Sequence, residues 1–553
     1  MAAQQAAMQV TGNNIANAGN VNYDEEQATL TETPSTQYGD GISIGNGVDL
    51  TAVQRQVDNA LNERLRSSMS DNSSATASQS WLTQVESAFN ALSGQDVGSQ
   101  MNTFLSDWSN LANSPTDNGQ RQVVLQDGQT LATSFQTLSG QLDDLQSNIS
   151  TQLTGQTSVA NGLAQQIATL NEQISVSEAG TSAQNNSLRD QRDAALSQLA
   201  KLVNINTQQQ PNGQINVYIG SEPLVEGSNS RGLSLKTQSN NGGPPTPTLV
   251  FTDTNGTVPA TGGQIGGLLA VRTQITGYQT QVNSLAGNLI FQLNKLHSSG
   301  QGTSGYSSVT ATNAVLDPTQ ALNTTTAGLP FTPTNGSFVV SVTNATTGLS
   351  TSTLVPVNLT GTPGDTTLNS LAASLNGIAG VTASITGGKL TIASASPDQT
   401  ITFSQDSSGA LAALGINTFF TGSNAGNIGV NAAVAADPSL VAAAKNGDSG
   451  DNQTALAIAN LGSTPIAALN GQSLTDTYQG LVTQIGTDTA AATTDQQAAQ
   501  TVQNTLTAQQ SSISGVSINQ EMVNMIQQQQ GFAAASRVVV AVNTMMQQII
   551  AMI

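Results

Sequence analysis

Residues 518–553 read INQEMVNMIQQQQGFAAASRVVVAVNTMMQQIIAMI. Within them Ile518, Met525, Phe532, Val539, Met546 and Ile553 fall seven apart, and every one is apolar. Such a row forms one edge of a coiled-coil seam, because two turns of a slightly underwound helix return a side chain to the same face. The row four positions on, Met522, Gln529, Ser536, Asn543 and Ile550, is mixed. This stretch is a helix built to pack along another helix. Its candidate partner in the same chain lies at the other end, where Met1, Met8 and Ile15 are also seven apart with Ala3, Ala7 and Val10 beside them. That short seam covers only part of the long one. Just upstream, Tyr478, Ile485, Ala492, Ala499, Leu506 and Ile513 make another apolar seven-spaced row. Ser514-Gly515 breaks its phase, so the last helix is expected to be jointed to what precedes it.

Moving inward, Met101, Phe104, Leu105, Trp108 and Leu111 form a helical stripe that Ser114-Pro115 ends, since the residue before proline disfavours the α region. Leu131, Phe135, Leu138, Leu142, Leu145 and Ile149, then Leu163, Ile167, Leu170 and Ile174, predict one long helix or two stacked ones within a bundle. Gly180 ends that run, and Leu188–Val203 reads as one more helix. Gly39–Gly47 reads as extended or looped, and Pro and Gly cluster from Gly242 to Pro247. Ile215, Val217 and Ile219 alternate as a strand does, and helical periodicity returns between Ile265 and Leu296. Residues 300–425 are rich in Thr, Ser and Gly and read as β. Their clearest hairpin runs Val381, Ala383, Ile385 to Leu390, Ile392 across Gly387-Gly388, and Phe338, Val340 and Val342 form another strand. Helices resume after Asp437-Pro438.

The fold expected is therefore α+β and multidomain: a long-helix bundle, terminal coiled-coil helices from both chain ends, and a β-rich inserted outer region. The expected divisions are 1–50 with 515–553 as the terminal coiled coil, 51–205 with 264–298 and 434–514 as the bundle, 206–263 as a small β segment, and 300–433 as the outer insertion.

Composition narrows the function. Of 553 residues only 9% are charged, against roughly 25% in ordinary soluble domains. Net charge is −20, which leaves no basic patch to neutralise phosphates and argues against nucleic acid. A surface of Gln, Asn, Ser and Thr suits a crowded assembly, and suits an acidic secreted protein equally well. There is no cysteine and one histidine, His297, so a thiol nucleophile is excluded and a His-based site would rest on one residue. No run of 18 apolar residues predicts membrane insertion, and residues 1–20 lack the pattern of a standard signal peptide. Asp190 and Asp193 around Arg192, and the pair Asp143-Asp144, are carboxylates of the kind that do acid–base work, but on a helix such pairs are far more often solvated or salt-bridged. Gly262-Gly263 with Gly266-Gly267 has no lysine at phosphate-loop spacing.

Several motifs carry a resemblance. Thr11-Gly12-Asn13-Asn14-Ile15-Ala16-Asn17 is similar to the N-terminal signature of flagellar rod, hook and junction proteins, and residues 512–522, SISGVSINQEM, to their C-terminal signature. Leu188-Arg189-Asp190-Gln191-Arg192-Asp193, Gly263–Leu269 followed by Arg272, Asn417–Ser423, and Gly450-Asp451-Asn452 resemble, in order, motifs of the hook-associated protein 1 family. There are departures: Val21-Asn22-Tyr23 stands where the family carries a Pro-Gly-Tyr turn, and members have further helix before the position of Met1.

The resemblance implies a structural protein without cofactor or metal. It implies self-association in a ring or helical tube, contacts with the hook protein and the second hook–filament junction protein, and a cytoplasmic export chaperone bound at the C-terminal helix. It also implies export through the flagellar type III apparatus to the extracellular flagellum. The residues expected at the assembly interface are Met8, Ile15, Ile518, Met522, Met525, Phe532, Val539, Met546, Ile550 and Ile553. Two alternatives stand beside this. The seams could close only an intramolecular coiled coil, or the chain could be another axial protein or a secreted adhesin that binds through its β region.

Overall fold

The computed structural model describes residues 1–38, 42–89, 96–180, 183–238, 246–448 and 450–552. Gly39–Gly41, Gly242–Pro245 and Ile553 lie outside the described residues. The helices, in chain order, are α1 (Ala2–Asn17), α2 (Asn59–Phe89), α3 (Val97–Asn113), α4 (Asn118–Glu178), α5 (Asn186–Leu202), α6 (Gly263–Ser298), α7 (Leu368–Asn376), α8 (Ala410–Leu414), α9 (Ala432–Ala436), α10 (Gln453–Ala459), α11 (Leu474–Ser514) and α12 (Ile518–Ala551). Long helices alternate with small antiparallel sheets, as an α+β multidomain chain should. The continuous apolar phase from Leu131 to Ile174 resolves into one helix of 61 residues.

Two compact units form. One comprises Met1–Leu82, Ser147–Thr273 and Thr489–Ile553, the other Thr83–Gln146 and Gln274–Asp488. The boundaries fall inside α2, α4, α6 and α11.

In the first unit the bundle core is built from Leu61, Leu65 and Leu506 with Met69 beside them, and from Ile149, Leu153, Ile167, Leu196, Leu199, Ile265 and Leu268. Gly267 allows α6 to approach α2: a Cβ there would stand 2.4 Å from the Ser74 carbonyl oxygen. A four-stranded sheet from residues 206–230 is tied to α4 by Asn171, whose amide donates to the carbonyls of Ile215 (2.7 Å) and Gly227 (2.8 Å). Before the bundle, Glu26–Glu32 pairs antiparallel with Val48–Arg55. That ribbon escapes sequence reading because its alternating rows, Ala28-Leu30 and Val48-Leu50-Ala52, are short and none of these residues is fully buried.

In the second unit the α3 stripe is wholly buried: Met101, Phe104, Trp108 and Leu111 have no exposed surface. Phe104 and Trp108 each lie 5.5 Å, ring to ring, from Phe419. The motif Asn417–Phe420 is held by Asn294, whose Oδ1 accepts from the backbone N–H of Phe419 (3.0 Å) and Phe420 (2.9 Å). Two three-stranded sheets complete the unit. One has Gly336–Asn344 between Ser350–Val357 and Gln399–Ser404, the other Lys389–Ser394 between Ser308–Thr310 and Val381–Thr386. The Gly387-Gly388 turn joins Thr386 to Lys389 with both glycines at positive φ. Helix α7 interrupts the β reading of this region. It begins with a capping box between Thr367 and Ser370 and buries Leu368, Leu371 and Leu375. Its nine residues are too few for its period to stand out against the Thr/Ser background.

Candidate functional site

The surface prepared for another molecule belongs to α12, and three local devices in the first unit position it. The first is Asn14. Its side chain is 1% exposed. Nδ2 donates to the Glu26 carbonyl (2.8 Å), while Oδ1 accepts from the Glu26 N–H (3.0 Å) and the Tyr23 hydroxyl (2.8 Å). An amide is needed because donor and acceptor are both used, so α1 is pinned to the start of the ribbon. Burial, with the charges of Glu26 and Asp190, raises the Tyr23 pKa and keeps its hydroxyl protonated to donate.

The second device is Arg55. Its Nη1 meets Asp190 Oδ1 at 2.7 Å, Asp193 Oδ2 at 2.8 Å and Asp24 Oδ2 at 3.2 Å. One guanidinium thus fastens the ribbon to α5, and Asn186 adds a bond from its amide to the Val53 carbonyl (3.2 Å). Burial pushes the Asp24 and Asp190 carboxyls up to about 6 against the opposing pull of Arg55. The acidic pair of the motif at 188–193 is therefore an ion cluster that locks packing. Its two arginines serve the same end: Arg189 pairs with Glu178 at 2.7 Å, and Arg192 donates to the Gly213 carbonyl at 2.7 Å and to Asn171 Oδ1 at 3.1 Å.

The third device is the joint. α11 ends at Ser514 and α12 starts at Ile518, capped by Ser517. The Glu25 N–H donates to the Ser514 carbonyl (2.8 Å). A Cβ on Gly515 would lie 2.3 Å from the Ser511 carbonyl oxygen, so a larger residue here forces the backbone of the turn to shift. A groove of about 520 Å³ flanks the joint, lined among others by Asn17, Tyr23, Asp24, Ser514 and Ser517.

From this joint α12 runs along α1. α1 buries Ala3, Ala7, Val10, Thr11 and Asn14, while Met8 and Ile15 are half-buried and Met1 is 47% exposed. The two helices come close: a Cβ on Gly531 would be 3.2 Å from the Gln4 side chain. On α12 the covered positions are Glu521, Asn524, Met525, Gln528, Gly531, Phe532, Ala535 and Ser536. Beside Met525 and Phe532 the seam thus runs mainly through 521, 528 and 535, three positions after the first row, and takes only Ser536 from the row four positions on. Of the interface residues expected from sequence, Met525 and Phe532 lie half-buried on that face. Ile518, Met522, Val539, Met546 and Ile550 are exposed, and Ile553 lies outside the described residues. α1 spans ~24 Å and α12 ~51 Å at 1.5 Å per residue. From Arg537 to Met552 every residue is exposed, including Val538, Val539, Val540, Val542, Met545, Met546, Ile549, Ile550 and Met552.

The other chemistry-bearing residues are occupied structurally. His297 is fully buried. Its Nε2 accepts from the Ala442 N–H (3.0 Å), which leaves Nδ1–H to donate to the Asn417 carbonyl (2.9 Å). Burial pulls its pKa down to about 4. Asp143 accepts a bond from Gln279. No group of three or more His, Asp or Glu among the described residues could hold a metal ion, and none of the described helices is long and apolar enough to cross a membrane.

Known proteins match this architecture. Residues 508–552 match the model of the flagellar basal body rod FlgEFG protein C-terminal region, which covers the joint and α12. Residues 82–310 match the model of the flagellar hook-associated protein FlgK helical domain. Flagellar hook-associated protein 1 of Escherichia coli K12 is 29% identical over 280 residues, 49% of this chain and 50% of that protein. The Salmonella typhimurium LT2 protein of that name is 30% identical over the same length and shares. The Bacillus subtilis one is 29% identical over 214 residues, 37% of this chain and 41% of that protein. The chain spans about half the length of the curated relatives it matches. The solved structure of the flagellar hook junction protein FlgK from Burkholderia pseudomallei aligns with a TM-score of 0.52 over 82% of this chain and all of that one; at 19% identity this likeness concerns the fold. A helical-domain match between paired terminal segments, with the rod-type C-terminal match on α12, makes the chain similar to flagellar axial proteins. Within that class, the similarity is to flagellar hook-associated protein 1.

Proposed function

We propose that this chain is a structural subunit of the bacterial flagellum that forms the junction between hook and filament and polymerises through its terminal helices. The carrying observations are the match of residues 82–310 to the FlgK helical domain and the rod-type match on α12, a helix covered along one face of its first half and exposed throughout its second half. Neighbouring copies cover that half in the assembled junction, where Met522, Val539, Met546, Ile550 and Ile553 meet other subunits and Met525 and Phe532 secure α1. The helical-domain match favours this over a hook protein. The role is structural, since the carboxylates and the histidine are spent on packing. Adjacent hook protein and second junction protein, a chaperone shielding α12 before export, and passage through the flagellar export apparatus complete the reading.

Replacing Phe532 and Val539 by Asp tests it. Flagellated cells expressing the double variant are expected to shed filaments and to show no immunogold label at the hook end, while circular dichroism of the purified variant keeps the helical signal. Normal filaments with normal label would refute the assembly role of α12.

A further inference from the structure

Charge is almost absent from the terminal pair. α1 carries no charged side chain, and α12 carries one acid, Glu521, and one base, Arg537. Both lack a counterpart. Glu521 is 2% exposed; its Oε1 accepts from the Asn524 amide (2.9 Å), but Oε2 is buried without a hydrogen-bond partner among the described residues. Its surroundings are acidic as well: its charge reaches Tyr23 and Glu25, and burial together with Glu521 holds the Glu25 carboxyl above its ordinary range. Arg537 is exposed, makes no ion pair among the described residues, and is followed directly by the bare apolar stretch that begins at Val538.

Geometry excludes a pair within one chain. Sixteen positions along a helix place the two residues ~24 Å apart and about 160° round the axis, beyond the reach of both side chains together. Covering Val538–Met552 with a neighbour takes Arg537 out of water as well. A desolvated guanidinium needs an acid, and a buried carboxylate oxygen without a donor needs a cation. Metal coordination is not the alternative, since no three potential ligands converge among the described residues. The joint offers an entrance: the groove lined by Tyr23, Asp24 and Ser517 lies one helical turn from Glu521, whose N–H bonds the Ser517 carbonyl.

We propose that Arg537 of one copy inserts at the α11–α12 joint of a second copy and pairs there with Glu521. This rests on the assembly reading and deepens it by naming the contact that sets register. Because donor and acceptor lie on nearly opposite sides of α12, each copy gives its arginine to one neighbour and its glutamate to another. That is a head-to-tail contact, which propagates into a ring or helix.

The chain has no cysteine, so introduced ones report cleanly. In the full chain, Gln520→Cys and Val538→Cys flank the pair and leave both charges in place. They are ~27 Å apart within one helix, too far for a short bis-maleimide to bridge. Purified flagella carrying this variant are expected to yield a ladder of cross-linked multimers, and neither single variant a ladder beyond dimers. Arg537→Glu is expected to lower incorporation at least ~10-fold, and adding Glu521→Lys to restore it. Arg537→Gln, at an exposed position, tests the same loss without risk to folding. Flagella that contain the double-cysteine protein but give no ladder, or Arg537→Gln and Arg537→Glu chains that incorporate like the unaltered one, would overturn the pairing and leave the assembly role intact. Absence of the unaltered chain from flagella would overturn the assembly role and this contact with it.

Discussion

Asn14→Ala removes a residue that forms no part of any apolar seam yet should free the whole first helix. The amide makes three hydrogen bonds, and its loss strands the Tyr23 hydroxyl and both backbone groups of Glu26 in a site that is 1% open to solvent. At about 1 kcal/mol for each bond, the helix-to-ribbon attachment weakens by about 3 kcal/mol, which is roughly 150-fold in the opening equilibrium of α1. Packing adds a modest hold: besides Asn14, α1 buries Ala3, Ala7, Val10 and Thr11, and its Met8 and Ile15 are only half-buried. Hydrogen exchange followed by mass spectrometry reads the effect directly. Peptides covering 2–17 are expected to exchange about two orders of magnitude faster in the variant, while peptides covering 101–112 in the second unit are unchanged. Asn14→Leu, with the same branched skeleton, should behave like Asn14→Ala. If Leu restores protection, packing rather than hydrogen bonding holds α1, and a rise of less than about threefold in both variants would refute the clamp altogether.

Two further outcomes follow from named geometry. His297 titrates at about 4 when folded and near 6.5 when unfolded, so its neutral form contributes stability that is complete above pH 6.5 and is lost as pH falls towards 4. The urea midpoint of the second unit, followed by Trp108 fluorescence in a Trp81→Phe background, should fall by an amount equivalent to about 2–3 kcal/mol between pH 7 and 4.5, and no fall would refute a neutral buried imidazole. Gly515→Ala drives a methyl group against the Ser511 carbonyl and should cost about 1–3 kcal/mol at the joint, seen as faster protease cleavage between residues 514 and 518 with the bundle intact.

The parts legible in the sequence were those with a long period. The rows at 101–111, 131–174 and 265–296 emerged as α3, α4 and α6, because a stripe repeated over many turns survives local noise. The joint was legible as a break in phase at Ser514-Gly515. What escaped was short or polar. The ribbon at 26–55 alternates over only two or three apolar residues per strand, and α7 has nine residues. The burial phase of α1 was hidden because its large residues, Met8 and Ile15, sit at the flank while alanines take the centre, where helices approach closely. The polar devices were visible only as motif letters. Asn14 stood in the N-terminal signature, and Asp190 and Asp193 in the central one, but nothing in the spacing shows that Asn14 reaches Glu26 or that Arg55 reaches across to α5.

The seam between α1 and α12 is weak in the proposed assembly for a reason that favours cooperativity. Along the covered face Met525 and Phe532 alternate with Glu521, Gln528 and Ala535, and α1 answers with alanines, so the pair buries little apolar surface within one chain. The larger reserve lies beyond α1. Nine large apolar residues between Val538 and Met552 are about half exposed or more, and covering them would contribute on the order of 10 kcal/mol per chain. Association itself costs roughly 4–15 kcal/mol in lost translational and rotational freedom. A single neighbour that covers one side of this helix therefore gains about as much as it loses, whereas a copy seated between two neighbours meets that cost once and buries both sides. On this arithmetic the exposed half of α12 favours growth at an existing end over pairing in solution, which lets a chain with so much bare apolar helix stay unpaired until it reaches the structure it joins.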